Sequence, residues 1–429
     1  MAYTKNLKLT ANTGGDSGLP FLYLALPVMD EPDLLQRLLD CISIQTYDRF
    51  SLFVCVNQPE NWWHNPSKLA VCKNNEASLR LLSDFKGFDI SIIDRSSRGY
   101  GWTGKRHGVG YARKTLMDYI EGVAAPGDIM VSMDADSVFS ADYLMSIARN
   151  FRKHPGSAAL SVPYFHNTPP DEFASRAMLR YEIYMRYYFL NLARIGSPFA
   201  FTALGSAMAF PVWAYRAIGG MTPKLSGEDF YLLQKLRKFG HVIQWNDEMV
   251  FPEARFSDRV FFGTGPAMIR GAGGDWSSYP IYPSAFFDEI LETYTLLPRL
   301  YQQPHDTKVI RFISMASGEA DPFQPLRLNH RDPGHFIRAF HEKFDGLRIL
   351  QFLKTAIETD PSRDEVNLLE FLKRFYPPEE LRELEISGES LSFSDCPVEK
   401  LERIRMFLFR KETEVRLSET LPSQGLPPL

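Results

Sequence analysis

Short apolar runs of β type, each closed by a polar or glycine-rich cluster and mostly followed by a stretch of helical periodicity, recur through residues 19–250, and this alternation limits the fold more than any other feature. Leu19 to Met29, LPFLYLALPVM, is the first run. Asp30-Glu31-Pro32-Asp33 then starts a helix, with proline in the first turn and acids at the positive end of the dipole. Leu34, Leu35, Leu38, Leu39 and Ile42 give that helix its apolar face. Phe50 to Asn57 and Phe88 to Asp94 are further short runs. Strands alternating with helices predict an α/β fold, a Rossmann-like and mostly parallel sheet covered by helices on both faces.

The stretch from Gly127 to Ile147 carries the first chemical signal. Its apolar run, Ile129 to Met133, leads into Asp134-Ala135-Asp136, and a helix follows with Ser140 placed as its N-cap and Asp142 in its first turn. Residues two apart in an extended chain point to the same side, so Asp134 and Asp136 are expected to reach one divalent cation, directly or through water. The carboxyl edge of an open α/β sheet is where a ligand binds.

Gly99 to Arg113, GYGWTGKRHGVGYAR, imitates two nucleotide motifs. A P-loop requires Ser or Thr after its lysine, and Arg106 stands there. A dinucleotide fingerprint follows the first strand of its unit and precedes an acid about twenty residues on; this one follows the third strand and lacks the acid. What remains is a glycine-rich loop with Lys105, Arg106 and Arg113, leading into a helix from Ala112 to Ile120 and suited to a phosphate.

Further on come a run at Ala158 to Pro163, an aromatic amphipathic helix at Tyr181 to Leu192, and a strand at Phe199 to Pro211 interrupted by Gly205-Ser206, where a ligand or another backbone approaches closely. Phe230, Leu233, Leu236 and Phe239 mark a helix stopped by Gly240. Glu228 and Asp229 therefore stand at its N-terminus, where the dipole favours an ionised carboxylate of the kind a general base requires. Val242 to Val250 reads as a last strand, and Arg255 to Gly265 either as a loop that closes over an anionic ligand or as an ordinary surface loop. From residue 284 the pattern becomes helical: Ala285 to Leu300, His335 to Ile357, Arg363 to Tyr376 and Val398 to Leu417 are charged amphipathic helices. The expected division is a disordered segment 1–18, an α/β domain 19–283, a helical domain 284–420 and a disordered tail 421–429.

At 429 residues the chain exceeds one ordinary core. A formal net charge of −4 gives no electrostatic reason to expect nucleic acid as a partner. The four cysteines have neither zinc-ligand nor C-x-x-C spacing, which fits a reducing compartment. No signal-peptide pattern occurs in the first residues, and the longest apolar stretch, Phe199 to Tyr215, is broken by Gly205, Ser206 and Pro211. A cytoplasmic protein, with contact limited to a membrane surface, is the expectation.

In order and spacing the segments FLYLALPVMDEPDLLQRLLDCISIQTYDRFSLFVCVN, GKRHGVGYARK, GDIMVSMDADS and GSAMAFPVWAYRAIGGMTPKLSGEDFYLLQKLRKFGH resemble the family 2 glycosyltransferases of GT-A fold, over roughly residues 20–250. The resemblance implies a metal-dependent transferase acting on a UDP- or GDP-linked sugar. It implies that Asp134 and Asp136 hold the metal, Mn2+ or Mg2+, against the donor diphosphate, that Asp229 is the base with Glu228 as neighbour, and that Lys105 and Arg113 face the nucleotide. By the same resemblance Pro27, Asn57 and Asp94, at the ends of the first three strands, contact the donor, and Arg259 contacts the diphosphate. Asn57 stands where the family often has an acid, so the choice of base is not inherited. The Gln-x-x-Arg-Trp signature and membrane helices of processive synthases are absent from the sequence.

The expected acceptor is a hydroxyl on a glycan, a lipid-linked sugar or a small molecule, attacked with inversion; the helical domain is a candidate for self-association. Rival expectations are a retaining transferase on the same fold, a nucleotidyltransferase, and a non-catalytic nucleotide-sugar binder. The nucleotidyltransferase calls for a glycine-rich phosphate loop after the first strand, where this chain has LALPVMDEP.

Overall fold

The computed structural model describes residues 4–5, 18–224, 227–254, 269–271, 273–386 and 391–420. Expectations for the terminal segments 1–18 and 421–429 fall almost wholly outside these, and those for Arg255 to Gly265 do so entirely. The chain divides into two compact units, one formed by 1–167 and 203–269, the other by 168–202 and 270–429. Residues 168–202 thus belong with the helices of the C-terminal half, although in sequence they lie between strands of the first unit.

The first unit is built on an eight-stranded sheet. Its strands are β1 (Thr4–Lys5), β2 (Leu22–Val28), β3 (Phe50–Asn57), β4 (Ile90–Arg95), β5 (Ile129–Ser132), β7 (Ala159–Ser161), β8 (Met208–Pro211) and β9 (Val242–Ile243), in the order β1-β4-β3-β2-β5-β8-β7-β9. The central pairs β4-β3, β3-β2 and β2-β5 are parallel, while β1, and β8 against both of its neighbours, run antiparallel. Every residue of β2 is buried, as a strand covered on both faces requires.

Helix α1 (Pro32–Ser43) buries Leu35, Leu38, Leu39 and Ile42, the stripe expected from its spacing. It connects β2 to β3, and α2 (Leu69–Asp84) connects β3 to β4, one step further the same way. Helix α3 (Val109–Val123) returns the chain to β5 on the other side of β2. Right-handed crossovers place α3 on the opposite face from α1 and α2. The topological switch point therefore lies between the carboxyl ends of β2 and β5, the position where open α/β sheets bind ligands.

Several local expectations are corrected. Asp-x-Asp does not continue a strand: Asp134 to Ser137 form a turn, with the Ser137 N–H donating to Asp134 O at 3.2 Å. A short strand follows, β6 (Ser137–Phe139), paired antiparallel with β10 (Val250–Pro252) in a separate two-stranded sheet. Ser140 is not a cap. Asp142 is the N-cap residue of α4 (Tyr143–Lys153), and the Ser140 hydroxyl donates to Glu248 at 2.5 Å instead. Of the expected strand Phe199 to Pro211 only β8 is extended in the sheet, because the chain turns at Gly205-Ser206.

The second unit is helical. Helix α5 (Glu172–Arg194) pairs with the long C-terminal helix Val398–Thr420 across a buried ionic ladder. Arg186 bonds Glu412 at 2.7 Å and Glu182 at 3.0 Å, and Arg416 bonds Glu412 at 2.8 Å. Buried ion pairs add little net stability but penalise any register that breaks them, so the ladder fixes how these two helices meet. The single helix expected from His335 to Ile357 is two, Pro333–Lys343 and Gly346–Thr359, because Asp345 caps the second through the Arg348 N–H at 3.1 Å. No helix among the described residues is long and apolar enough to cross a membrane.

Candidate active site

The site is organised by Arg113, which the sequence places on the glycine-rich loop facing a nucleotide. Helix α3 extends back to Val109, so Arg113 lies in its second turn, 3% exposed. Its guanidinium is engaged by the protein itself. Nη2 donates to Asp134 Oδ1 at 2.5 Å, Nε to Glu228 Oε1 at 3.1 Å, and Nη1 to Gly205 O at 2.8 Å and to the Ser132 hydroxyl. One cation thus joins the carboxyl end of β5, the turn before β8 and helix α6 (Glu228–Phe239). Gly205 is required by this approach: a Cβ there would overlap the Arg113 guanidinium and lie 3.1 Å from Asp134 Oδ2. Burial alone would lower the Arg113 pKa, but Asp134, Glu228 and Asp229 more than offset it and the net shift is upward.

Asp134 keeps 30% of its side chain exposed, so it presents a carboxylate edge to solvent while Arg113 holds the other. Burial pushes its pKa up to about 7, against the pull of Arg113, and Asp136, Glu31 and Glu228 push the same way. Asp136 sits half-buried in the same turn; its carbonyl accepts the Glu253 N–H at 3.0 Å, which anchors the turn through β10. Two carboxylates that repel each other, with hard oxygen donors partly open to solvent, fit Mg2+ or Mn2+. Such ions take one or two protein carboxylates and complete their shell with water and substrate phosphate. No cage of three or more His, Cys, Asp or Glu is gathered among the described residues.

Helix α6 starts at Glu228, after Gly227, whose φ of 71° is left-handed and favours glycine. Glu228 is buried and committed to Arg113. Asp229 is half-buried, with Oδ1 accepting the Phe230 N–H at 2.8 Å. Burial first, then Glu228, push the Asp229 pKa up to about 7, with Arg113 and the helix N–H groups opposing.

The other expected residues are distributed unevenly. Pro27 is buried within β2 and pairs with Cys55. Asn57, 2% exposed, donates through Nδ2 to Val28 O at 3.0 Å, and its Oδ1 has no hydrogen-bond partner. Asp94 Oδ1 accepts the N–H groups of Ser96 at 2.8 Å and Ser97 at 3.0 Å, so one of its oxygens folds the loop after β4. Lys105 stands exposed on that loop. Arg259 lies outside the described residues.

The profile of the family described as Glycosyltransferase like family 2 matches residues 20–256, more than half of the 429-residue chain. The chain belongs to this family. Among solved structures, this glycosyltransferase is similar to S. aureus TarS residues 1–349 in complex with UDP-GlcNAc, with 12% identity over 93% of this chain and 91% of that one and a TM-score of 0.39. It is also similar to the mannosyltransferase PcManGT from Pyrobaculum calidifontis in complex with GDP-Man and Mn2+, with 16% identity over 95% of this chain and 89% of that one and a TM-score of 0.41. A search of curated protein sequences gives no match.

Three features of the candidate site go beyond what the sequence shows. Ser132 looks like the last residue of an apolar strand, yet it carries a hydroxyl to Arg113. Gly205 was legible as a close approach but not as the approach of Arg113. Glu60, in the loop after β3, accepts the N–H groups of Gly99 at 2.9 Å and Gly101 at 2.8 Å and so holds the glycine-rich loop. A carboxylate beside Gly-x-Gly in space has no signature in local sequence.

Proposed function

We propose that this glycosyltransferase transfers a sugar from a UDP- or GDP-linked donor to an acceptor hydroxyl with inversion, Asp229 serving as general base. The observation that carries the reading is the Arg113 clamp. It ties the Asp-x-Asp turn, suited to the donor diphosphate, to the helix that presents Asp229. Asp134 and Asp136 would hold a divalent cation, which when bound offsets the negative charge developing on the departing diphosphate. Lys105, exposed on the loop after β4, offers a further positive charge to that leaving group.

Asp229 takes the proton from the acceptor hydroxyl as its oxygen bonds to the anomeric carbon, while the bond to the diphosphate breaks on the opposite face. A carboxylate whose pKa is raised to about 7 is matched to this task, because about half of it is ionised at neutral pH and it is basic enough to accept a proton. Glu228 does not compete for the role: its carboxylate is turned inward to Arg113 and buried. The acceptor is a hydroxyl of a glycan, a lipid-linked sugar or a small molecule.

The test uses water as acceptor. With an α-linked UDP- or GDP-sugar and Mn2+, proton NMR of the first-formed free sugar is expected to show the β anomer. First formation of the α anomer would contradict inversion and reduce Asp229 to an orienting residue.

A further inference from the structure

Helix α3 has a second chemical face. At about 100° per residue, Tyr111, Lys114 and Asp118 form a stripe directed away from Arg113, whose side chain is turned in toward Ser132 and Gly205. This stripe lines a cavity of about 600 Å3 whose other wall includes Arg95, Trp102 and Arg106. Three cations thus face one acid, and that acid is already neutralised. Asp118 bonds Lys114 at 2.7 Å and accepts the Tyr215 hydroxyl at 2.7 Å. The surplus charge belongs to Arg95 and Arg106.

Two buried donors on the lining residues lack an acceptor, Arg95 Nε and Trp102 Nε1. The Arg95 guanidinium lies 4.9 Å from the centre of the Trp102 ring, so the two form one cationic, aromatic surface. Buried N–H groups without partners are uncommon, and both belong to residues of this wall. The wall that carries them is also built in advance. Glu60 grips Gly99 and Gly101, Trp102 N–H donates to Gln58 O at 2.9 Å, and Glu60 N–H donates to Trp102 O at 2.9 Å. A Cβ at Gly101 would come within 2.7 Å of Glu60 Cα, so the loop and the Glu60 segment are packed without slack.

We propose that this cavity is a second ligand site, separate from the Asp134 cleft and independent of metal, that binds a phosphate group. Guanidinium groups match phosphate oxygens through paired hydrogen bonds, and Trp102 and Tyr111 supply apolar surface for whatever the phosphate is attached to. The phosphate comes either as a free anion or as the ester group of a larger ligand. The site does not depend on the assignment of Asp134 or Asp229.

Calorimetry on the full chain in EDTA, with inorganic phosphate and with glycerol 3-phosphate, tests it. Saturable binding is expected, weakened about tenfold by Arg106→Ala and unchanged by Asp136→Ala. Tighter binding of the ester assigns the site to an esterified ligand; tighter binding of inorganic phosphate assigns it to the free anion, and both support it. Glu60→Ala, checked for an unchanged melting temperature, is expected to weaken binding as well by releasing the wall. Absence of saturable binding overturns the proposal. So does displacement of the bound phosphate by a nucleoside diphosphate with Mn2+, or loss of binding in Asp136→Ala but not in Arg106→Ala, since either result places the phosphate in the donor cleft. Because no step reads sugar transfer, failure here leaves the transferase reading standing, and failure of transfer leaves this site testable.

Discussion

Arg113→Ala is expected to destabilise the fold by about 3–5 kcal/mol, the usual cost of removing one partner of a buried ion pair. The variant leaves Glu228 buried without its cation, and Asp134 and Asp229 without the charge that opposes their repulsion by Glu228. Asp134 is partly exposed and contributes the smaller share, because solvent screens it. Arg113→Lys restores a charge but not the fork that meets Asp134, Glu228 and Gly205 at once, so it should fall between the two. Urea denaturation of the three proteins at pH 7.5 measures this. A loss below about 0.5 kcal/mol in Arg113→Ala would show that the clamp holds nothing together.

Asp229→Asn should lower turnover by about 10²- to 10⁴-fold while donor affinity stays within about twofold, the pattern for loss of a general base. The pH dependence supplies a second signature. With its pKa raised to about 7, Asp229 is increasingly protonated in acid, so wild-type kcat/KM should fall roughly tenfold per pH unit on the acid side of that value. The residual activity of Asp229→Asn should lack this limb. Stability moves in the opposite sense. Because the folded pKa lies above the unfolded value of about 3.9, the contribution of Asp229 to stability is fully present below the unfolded value and is lost as pH rises through about 7. The metal-free wild type should therefore lose ground to Asp229→Asn between pH 4 and 8. Equal pH dependence of the two proteins, in rate and in stability, would remove Asp229 from the role of base.

The fold was legible where it rests on local periodicity. Buried strands such as β2 announce themselves as short apolar runs, and α1 by the spacing of its leucines. The Asp-x-Asp and Glu-Asp pairs were legible because carboxylates at a strand end and a helix start carry a physical meaning in the sequence itself. What was not legible depends on contacts distant in sequence. Arg113 looked like a loop cation because its burial is decided by Ser132, Gly205 and Glu228, up to 115 residues away. The turn at Asp134 to Ser137 depends on β10, more than a hundred residues later. The grouping of 168–202 with the C-terminal helices depends on pairs such as Arg186 with Glu412, 226 residues apart. The aromatic pattern of α5 shows that it is buried without showing against what.

The central claim is that the Asp134 cleft binds a nucleotide-sugar through a divalent cation. Titration calorimetry of the wild type and Asp136→Ala with UDP- and GDP-sugars, in Mn2+ and then in EDTA, tests it most directly. The account predicts binding of one nucleotide class by the wild type in Mn2+, weakened at least tenfold both by EDTA and by Asp136→Ala. Equal affinity in all of these conditions would contradict it.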